Sequence, residues 1–197
     1  MLLAGGRNAE GSPSITEFIL PTDDTVEDSE CSLPSLITPC EFCSLSVANE
    51  NLIICGGVTC SILTDMGWKK MANLMFPGRY TSMATFGDVL LIISHDEHGI
   101  INTEEMPTDG SPSRRGFSWF QDQGISGVLC LLQFEENILL LVSEANGTTS
   151  TVQFTGLRGN DIRRTGKGPD NVAALQTMSG CISIITKGVQ VNVLLIF

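Results

Sequence analysis

Short apolar runs, rather than long periodic ones, set the pattern of this chain. Leu52–Cys55, Val89–Ile93, Ile138–Val142 and Cys181–Ile185 are nearly continuous in aliphatic and β-branched residues. Gly and Pro interrupt the chain about every ten residues, and no stretch of about a dozen residues keeps the apolar spacing of a helix. Runs of this length, bounded by turn residues, predict strands buried on both faces. Between them lie alternating stretches such as Phe42–Ala48 and Thr81–Phe86, the pattern of half-buried strands. The fold class that follows is all-β.

The buried runs recur. Leu2–Gly6, Leu52–Gly57, Val89–Ser94, Ile138–Ser143 and Cys181–Thr186 end 51, 37, 49 and 43 residues apart, close to the ~40–50 residues of one propeller blade. An alternating strand precedes four of the five: Phe42–Ala48, Thr81–Phe86, Val128–Phe134 and Ala173–Met178. Another follows each: Ile15–Leu20, Ser61–Thr64, Ile101–Met106, Ser150–Phe154 and Val189–Leu195. A fourth strand carries an outer aromatic in two units, Trp68 and Trp119, with Cys31–Leu33 and Ile162–Arg164 as weaker counterparts. Four short antiparallel strands per period predict a partial β-propeller of about four blades. The predicted boundaries are a blade part over 1–36, blades over 37–77, 78–122 and 123–168, and a blade part over 169–197.

The clearest unit is Asn51–Arg79. Gly56-Gly57 ends its buried strand, where a glycine pair lets the chain turn and lets a neighbour approach closely; Gly5-Gly6 repeats the device earlier. Trp68 is then the outer residue expected to pack between blades. Arg79, eleven residues further on, is placed to bond loop carbonyls that the sheet leaves unpaired. Apolar strand, Gly56-Gly57, short strand, Trp68, Met71, Leu74 and Arg79 together resemble a kelch repeat. More narrowly, Cys31-Ser32-Leu33-Pro34, Cys55-Gly56-Gly57 with Cys60, and Thr103-Glu104 with Pro107 are similar to the divergent, cysteine-bearing kelch proteins of invertebrates. The resemblance implies a kelch-type propeller. Such propellers close with about six or seven blades, so about four predict a fragment whose open edges invite self-association.

Charge and cysteine content narrow the partners. Twenty-two acidic residues against 11 basic ones give a net charge of −11, which argues against nucleic acid as a ligand. No uninterrupted apolar run exceeds five residues, the length of Val89–Ile93 and Val193–Phe197, far short of the roughly 20 that cross a bilayer as a helix. The opening MLLAGG lacks the basic and apolar regions of a signal peptide, so a secreted chain would carry its signal upstream. Seven cysteines, five of them between Cys31 and Cys60, favour disulfides and an oxidising compartment. Cys55 and Cys60 flank the Gly56-Gly57 turn, and a tight turn brings their α-carbons within the ~7 Å a disulfide spans. Cys31 with Cys43 would join the outer strand of one blade to the inner strand of the next. Cys130 and Cys181 read as small buried hydrophobes. Asn146-Gly147-Thr148 is a glycosylation sequon in an expected loop.

Candidate chemistry is sparse. His95-Asp96-Glu97-His98 is the one dense run of metal-ligand types, and its position between two strands reads as a solvated loop. Copper-radical oxidases on kelch propellers need two tyrosines, and Tyr80 is the only one here. No G-x-S-x-G, G-x-G-x-x-G or P-loop spacing is present. The expectation is therefore a non-catalytic protein-binding scaffold, extracellular, with no cofactor and no metal. Its recognition surface would be blade-end loops such as His95–Ile100 and Glu144–Thr149. The alternatives are an intracellular kelch substrate adaptor in the cytoplasm and a degenerate propeller enzyme.

Overall fold

The computed structural model describes residues 2–4, 17–19, 36–38, 43–78, 80–95, 98, 100–167, 172–178, 181–186 and 189–194. In these residues the chain is a partial β-propeller built from antiparallel sheets in chain order. A short ladder pairs β1 (Leu2–Ala4) with β2 (Glu17–Ile19). The next sheet holds β3 (Ser44–Ala48), β4 (Asn51–Thr64) and β5 (Gly67–Gly78). It is followed by β6 (Tyr80–Phe86), β7 (Val89–His95), β8 (Ile101–Pro107) and β9 (Arg114–Arg115). Then come β10 (Ile125–Phe134), β11 (Asn137–Glu144), β12 (Thr149–Thr155) and β13 (Asn160–Lys167). The last sheet holds β14 (Val172–Met178), β15 (Cys181–Thr186) and β16 (Val189–Leu194). The first strands of successive sheets meet, β3 on β6, β6 on β10 and β10 on β14, as blades around a common axis do.

Strand β4 is continuous in hydrogen bonding but not straight. The α-carbons of Cys55 and Cys60 lie 4.1 Å apart, whereas five residues of extended strand would separate them by about 16 Å. The chain therefore reverses between them, with Gly57 at φ +60°. The two arms, 51–55 and 60–64, also sort by face. Ile53, Cys55, Cys60 and Ile62 join the cluster shared with the next blade, while Leu52, Ile54 and Leu63 join Trp68 on the other side. Counting the arms separately, this blade also has four strands: β3, the two arms, and β5. Trp68 lies on the fourth, 7 % exposed against Ile54 and Leu36.

The apolar runs fill the spaces between sheets. Along β7, Leu90 and Ile92 face the β3–β5 sheet while Leu91 and Ile93 face the β10–β13 sheet, and all four are at most 1 % exposed. A strand covered on both faces has no polar side to show, which is why Val89–Ile93 reads as an unbroken apolar run. Backbones also come close between blades. A β-carbon on Gly78 would stand 2.7 Å from the His95 carbonyl oxygen, so only glycine lets β5 end against β7.

Trp119 stands elsewhere than in the fourth strand expected for it. It belongs to a 3-10 turn, Trp119–Asp122, in the crossover from β9 to β10. The fourth strand there is Arg114–Arg115, paired with Glu104 and Glu105 of β8. The ion pair of Arg114 with Glu105, 2.6 Å, and the stacking of Arg115 over the Phe76 ring, 5.1 Å, select that strand. Past Gly116 the crossover turns inward, and Phe117 and Phe120 seal the seam between blades; Phe117 meets Phe154 edge-on at 5.3 Å.

The disulfide Cys55–Cys60 closes the reversed arm inside the core, both residues 0 % exposed. The loop-entropy relation gives so short a ring about 2 kcal/mol. Replacing both residues by Ala should lower the free energy of unfolding by at least about that much, read as a reduced urea midpoint at unchanged slope.

Candidate functional site

In each four-stranded blade the turn from second to third strand and the crossover to the next blade share one end. In the β10–β13 blade that end carries a network of polar groups. The turn between β11 and β12 is braced by Glu144 N–H donating to the Thr148 carbonyl, 2.8 Å, and Gly147 N–H to the Glu144 carbonyl, 2.9 Å. Ala145 N–H reaches the Gly124 carbonyl of the crossover at 2.8 Å. The Glu144 carboxylate accepts from Arg164 Nη1 of β13 at 3.1 Å and from the Ser150 hydroxyl. Arg164 Nη2 donates to the Gln123 carbonyl. One guanidinium thus ties together the crossover, the second strand and the outer strand of the third blade.

Beside it runs an open groove of about 520 Å³, lined by Glu144, Asn146, Thr148, Thr149, Ser150, Arg164, Thr165 and Gly166. Its walls are hydroxyls, an amide and a braced ion pair. Such a surface makes hydrogen bonds to a polar polypeptide and offers little to an apolar small molecule.

Towards the axis, the point where a β-carbon on Gly127 would stand is 3.0 Å from Ser143 Oγ and 3.5 Å from His95 Cε1. A hydroxyl and an imidazole from neighbouring blades therefore share one niche. The Ser143 hydroxyl bonds to the Gly127 carbonyl, 3.4 Å, and pairs with Ser126 Oγ, 3.1 Å, not with the imidazole.

The residues singled out in the sequence fall as follows. Gly56 and Gly57 lie in the reversal of β4 and Trp68 on β5, while Gly5, Gly6 and Arg79 lie outside the described residues. Cys55 is bonded to Cys60. Cys43 is disulfide-bonded as well, and Cys31 lies outside the described residues. His95 ends β7 and His98 is exposed in the following turn, while Asp96 and Glu97 lie outside the described residues. Among the described residues no group of three potential ligands is placed to hold a metal, and no helix is long and apolar enough to cross a membrane. Asn146 is exposed at the tip of the β11–β12 turn. Arg164 and Gln123, which organise the groove, carry no motif that marks them in the sequence.

Two titratable groups with raised pKa values lie away from the groove, Cys130 half-buried and Glu104 buried. Burial pushes the Cys130 thiol up to about 11, so it stays protonated and unreactive near neutrality. Glu104 is 0 % exposed at the seam between two blades. Its Oε2 accepts from Met75 N–H at 2.7 Å and Ser113 Oγ at 3.0 Å, while Oε1 has no partner among the described residues. Burial raises its pKa, and the bonds from Met75, Ser113 and Phe76 offset only part of that. It latches the bulge of β5 at 74–77 onto β8, a structural task.

No protein-family model matches the sequence, and no curated protein sequence matches it. Solved structures match in shape. The computationally designed Ika4 protein superposes with TM-score 0.51 at 11% identity, over 83% of this chain and 95% of that one. The computationally designed Ika8 protein gives 0.51 at 13%, over 84% of this chain and 48% of that one. TolB from Acinetobacter baumannii gives 0.49 at 13%, over 95% and 52%. The chain spans about half the length of Ika8 and of TolB. For Ika4 and Ika8, at such identities, the likeness is one of fold.

Glu104 makes stability depend on pH with a definite sign. A carboxyl whose pKa is higher folded than unfolded binds protons on folding, so its contribution falls as pH rises from the unfolded value, about 4.3, through the raised folded one. Glu104→Gln keeps an oxygen for Met75 and Ser113 but cannot ionise. Urea titrations across that window should show the variant gaining on wild type as pH rises; a constant difference would place the Glu104 titration at its ordinary value.

Proposed function

We propose that this chain is a non-catalytic, protein-binding scaffold of the kelch β-propeller type that works in an oxidising, extracellular compartment. The observation that carries the binding role is the braced groove at the loop end of the third blade. Its ion pair is held from three elements, so the surface is pre-organised and little ordering is needed on binding. Its open shape and its hydroxyl, amide and guanidinium lining suit a polypeptide partner. The net charge of −11 disfavours nucleic acid. Support for the kelch type is the Asn51–Gly78 unit, with Gly56-Gly57 at the strand end and Trp68 packed on the fourth strand. Support for the compartment is the buried Cys55–Cys60 bond together with a bonded Cys43.

The test is site-specific photo-crosslinking in fluid from the native compartment, with the probe either at Thr165 in the groove or at Lys69 on the exposed outer strand of another blade. Probe at Thr165 should trap one protein and probe at Lys69 should not. Arg164→Ala should abolish the trapping while costing under about 1 kcal/mol of stability, because the Arg164 side chain is 41% exposed. Equal trapping at both positions, or trapping unchanged by Arg164→Ala, would remove the groove from the account.

A further inference from the structure

We infer that Asn146 is an N-glycan acceptor site whose glycan stands over the groove; the inference rests on the extracellular reading above. Of the chain's asparagines only Asn146 is followed by the Asn-x-Ser/Thr pattern, so any N-linked sugar has one place to go.

The geometry presents the side chain for modification. Ala145, Asn146 and Gly147 are all exposed at the tip of the β11–β12 turn. Asn146 Oδ1 accepts from the Thr148 N–H at 3.0 Å and from its hydroxyl at 2.8 Å. Two donors on the amide oxygen draw charge away from the nitrogen and lower the cost of losing a proton there. Nδ2 itself donates to no atom among the described residues. Gly147, at φ +82°, has no atom within 4 Å of where its β-carbon would stand, so the tip has room for a sugar. The folded turn is braced through the backbone of Glu144 and Thr148, and none of those bonds uses Nδ2. A glycan therefore costs the fold nothing it depends on.

The transfer needs a lipid-linked oligosaccharyl pyrophosphate as donor. Nδ2 forms a bond to the anomeric carbon, and the anomeric C–O bond to the pyrophosphate breaks. The lipid pyrophosphate leaves with that electron pair, the amide gives up one proton, and nothing is oxidised or reduced. Because Asn146 also lines the groove with Ser150 and Arg164, the first sugar would sit at its mouth. Glycan occupancy would then control access of a polypeptide to the site.

The experiment is peptide mapping of the full chain secreted from eukaryotic cells behind a cleavable leader, and of the protein from its own source. Release by peptide-N-glycosidase in heavy-oxygen water separates a former glycan site from spontaneous deamidation at Asn146-Gly147. Wild type and Thr148→Ser should carry sugar on most molecules; Asn146→Gln and Thr148→Ala should carry none, with the Cys55–Cys60 bond intact in all four. A bare Asn146 on secreted wild type with that bond formed overturns the site and leaves the compartment standing. A bare Asn146 with reduced cysteines in protein from its own source overturns both.

Discussion

The innermost strand of a propeller blade has a ladder on one edge only, and the backbone groups of its other edge face the axis without a partner strand. Burying such groups unpaired would cost about as much as a hydrogen bond contributes, or roughly twice that. At Thr85 of β6 the solution is a side chain from the next blade. The Thr85 N–H donates to Gln133 Oε1 at 2.7 Å, and Gln133 Nε2 donates back to the Thr85 carbonyl. The primary amide of Gln133 reproduces, for one residue, what a neighbouring strand would do. On the other side the Thr85 hydroxyl meets Ser46 Oγ of β3 at 2.7 Å. Three successive inner strands are thereby linked at the level of Thr85.

Everything outward of that link is arranged by two-sided burial. The β3–β5 and β6–β9 sheets share a cluster around Ile53, Leu90, Ile92 and Met106, and the β6–β9 and β10–β13 sheets share one around Leu91, Ile93, Ile138 and Phe154. At the rim the charge changes sign. Lys69 and Lys70 on β5, Arg114 and Arg115 on β9, and Arg163, Arg164 and Lys167 on β13 make seven of the eleven basic residues. Concentrating them on the outer strands of an otherwise acidic chain guards those edges against pairing with other strands. The same residues then become available for interblade and interstrand tasks, as Arg115 on Phe76 and Arg164 on Glu144 show.

How much of this was legible follows from the same physics. The second strands could be read because a strand covered on both faces must be apolar throughout, and Val89–Ile93 and Ile138–Val142 announce that directly. The reversal at Gly56-Gly57 was legible from its glycines and flanking cysteines. The outer strand of the second blade was not. An aromatic at 119 mimics the position of Trp68, whereas the true strand is two arginines whose partners, Glu104 and Glu105, are recognisable only once β8 lies beside them. The groove was half legible. Glu144–Thr149 reads as a blade-end loop, but Gln123 and Arg164 meet it only through the crossover and the outer strand, and no local period records such a meeting. Gln133 was silent for the same reason: its role is to complete the backbone of a residue 48 positions away.

The claim on which the account turns is that at Thr85 the inner edge of β6 is completed by a side chain, Gln133, that stands in for a missing strand. Hydrogen exchange at the Thr85 amide tests it most directly. That N–H points away from the β6–β7 ladder, so in an isolated sheet it would exchange freely. The account predicts protection comparable to the ladder amides of β6 in the wild type, lost at Thr85 in Gln133→Ala while those ladder amides keep theirs. Rapid exchange in the wild type, or protection indifferent to Gln133→Ala, would contradict it.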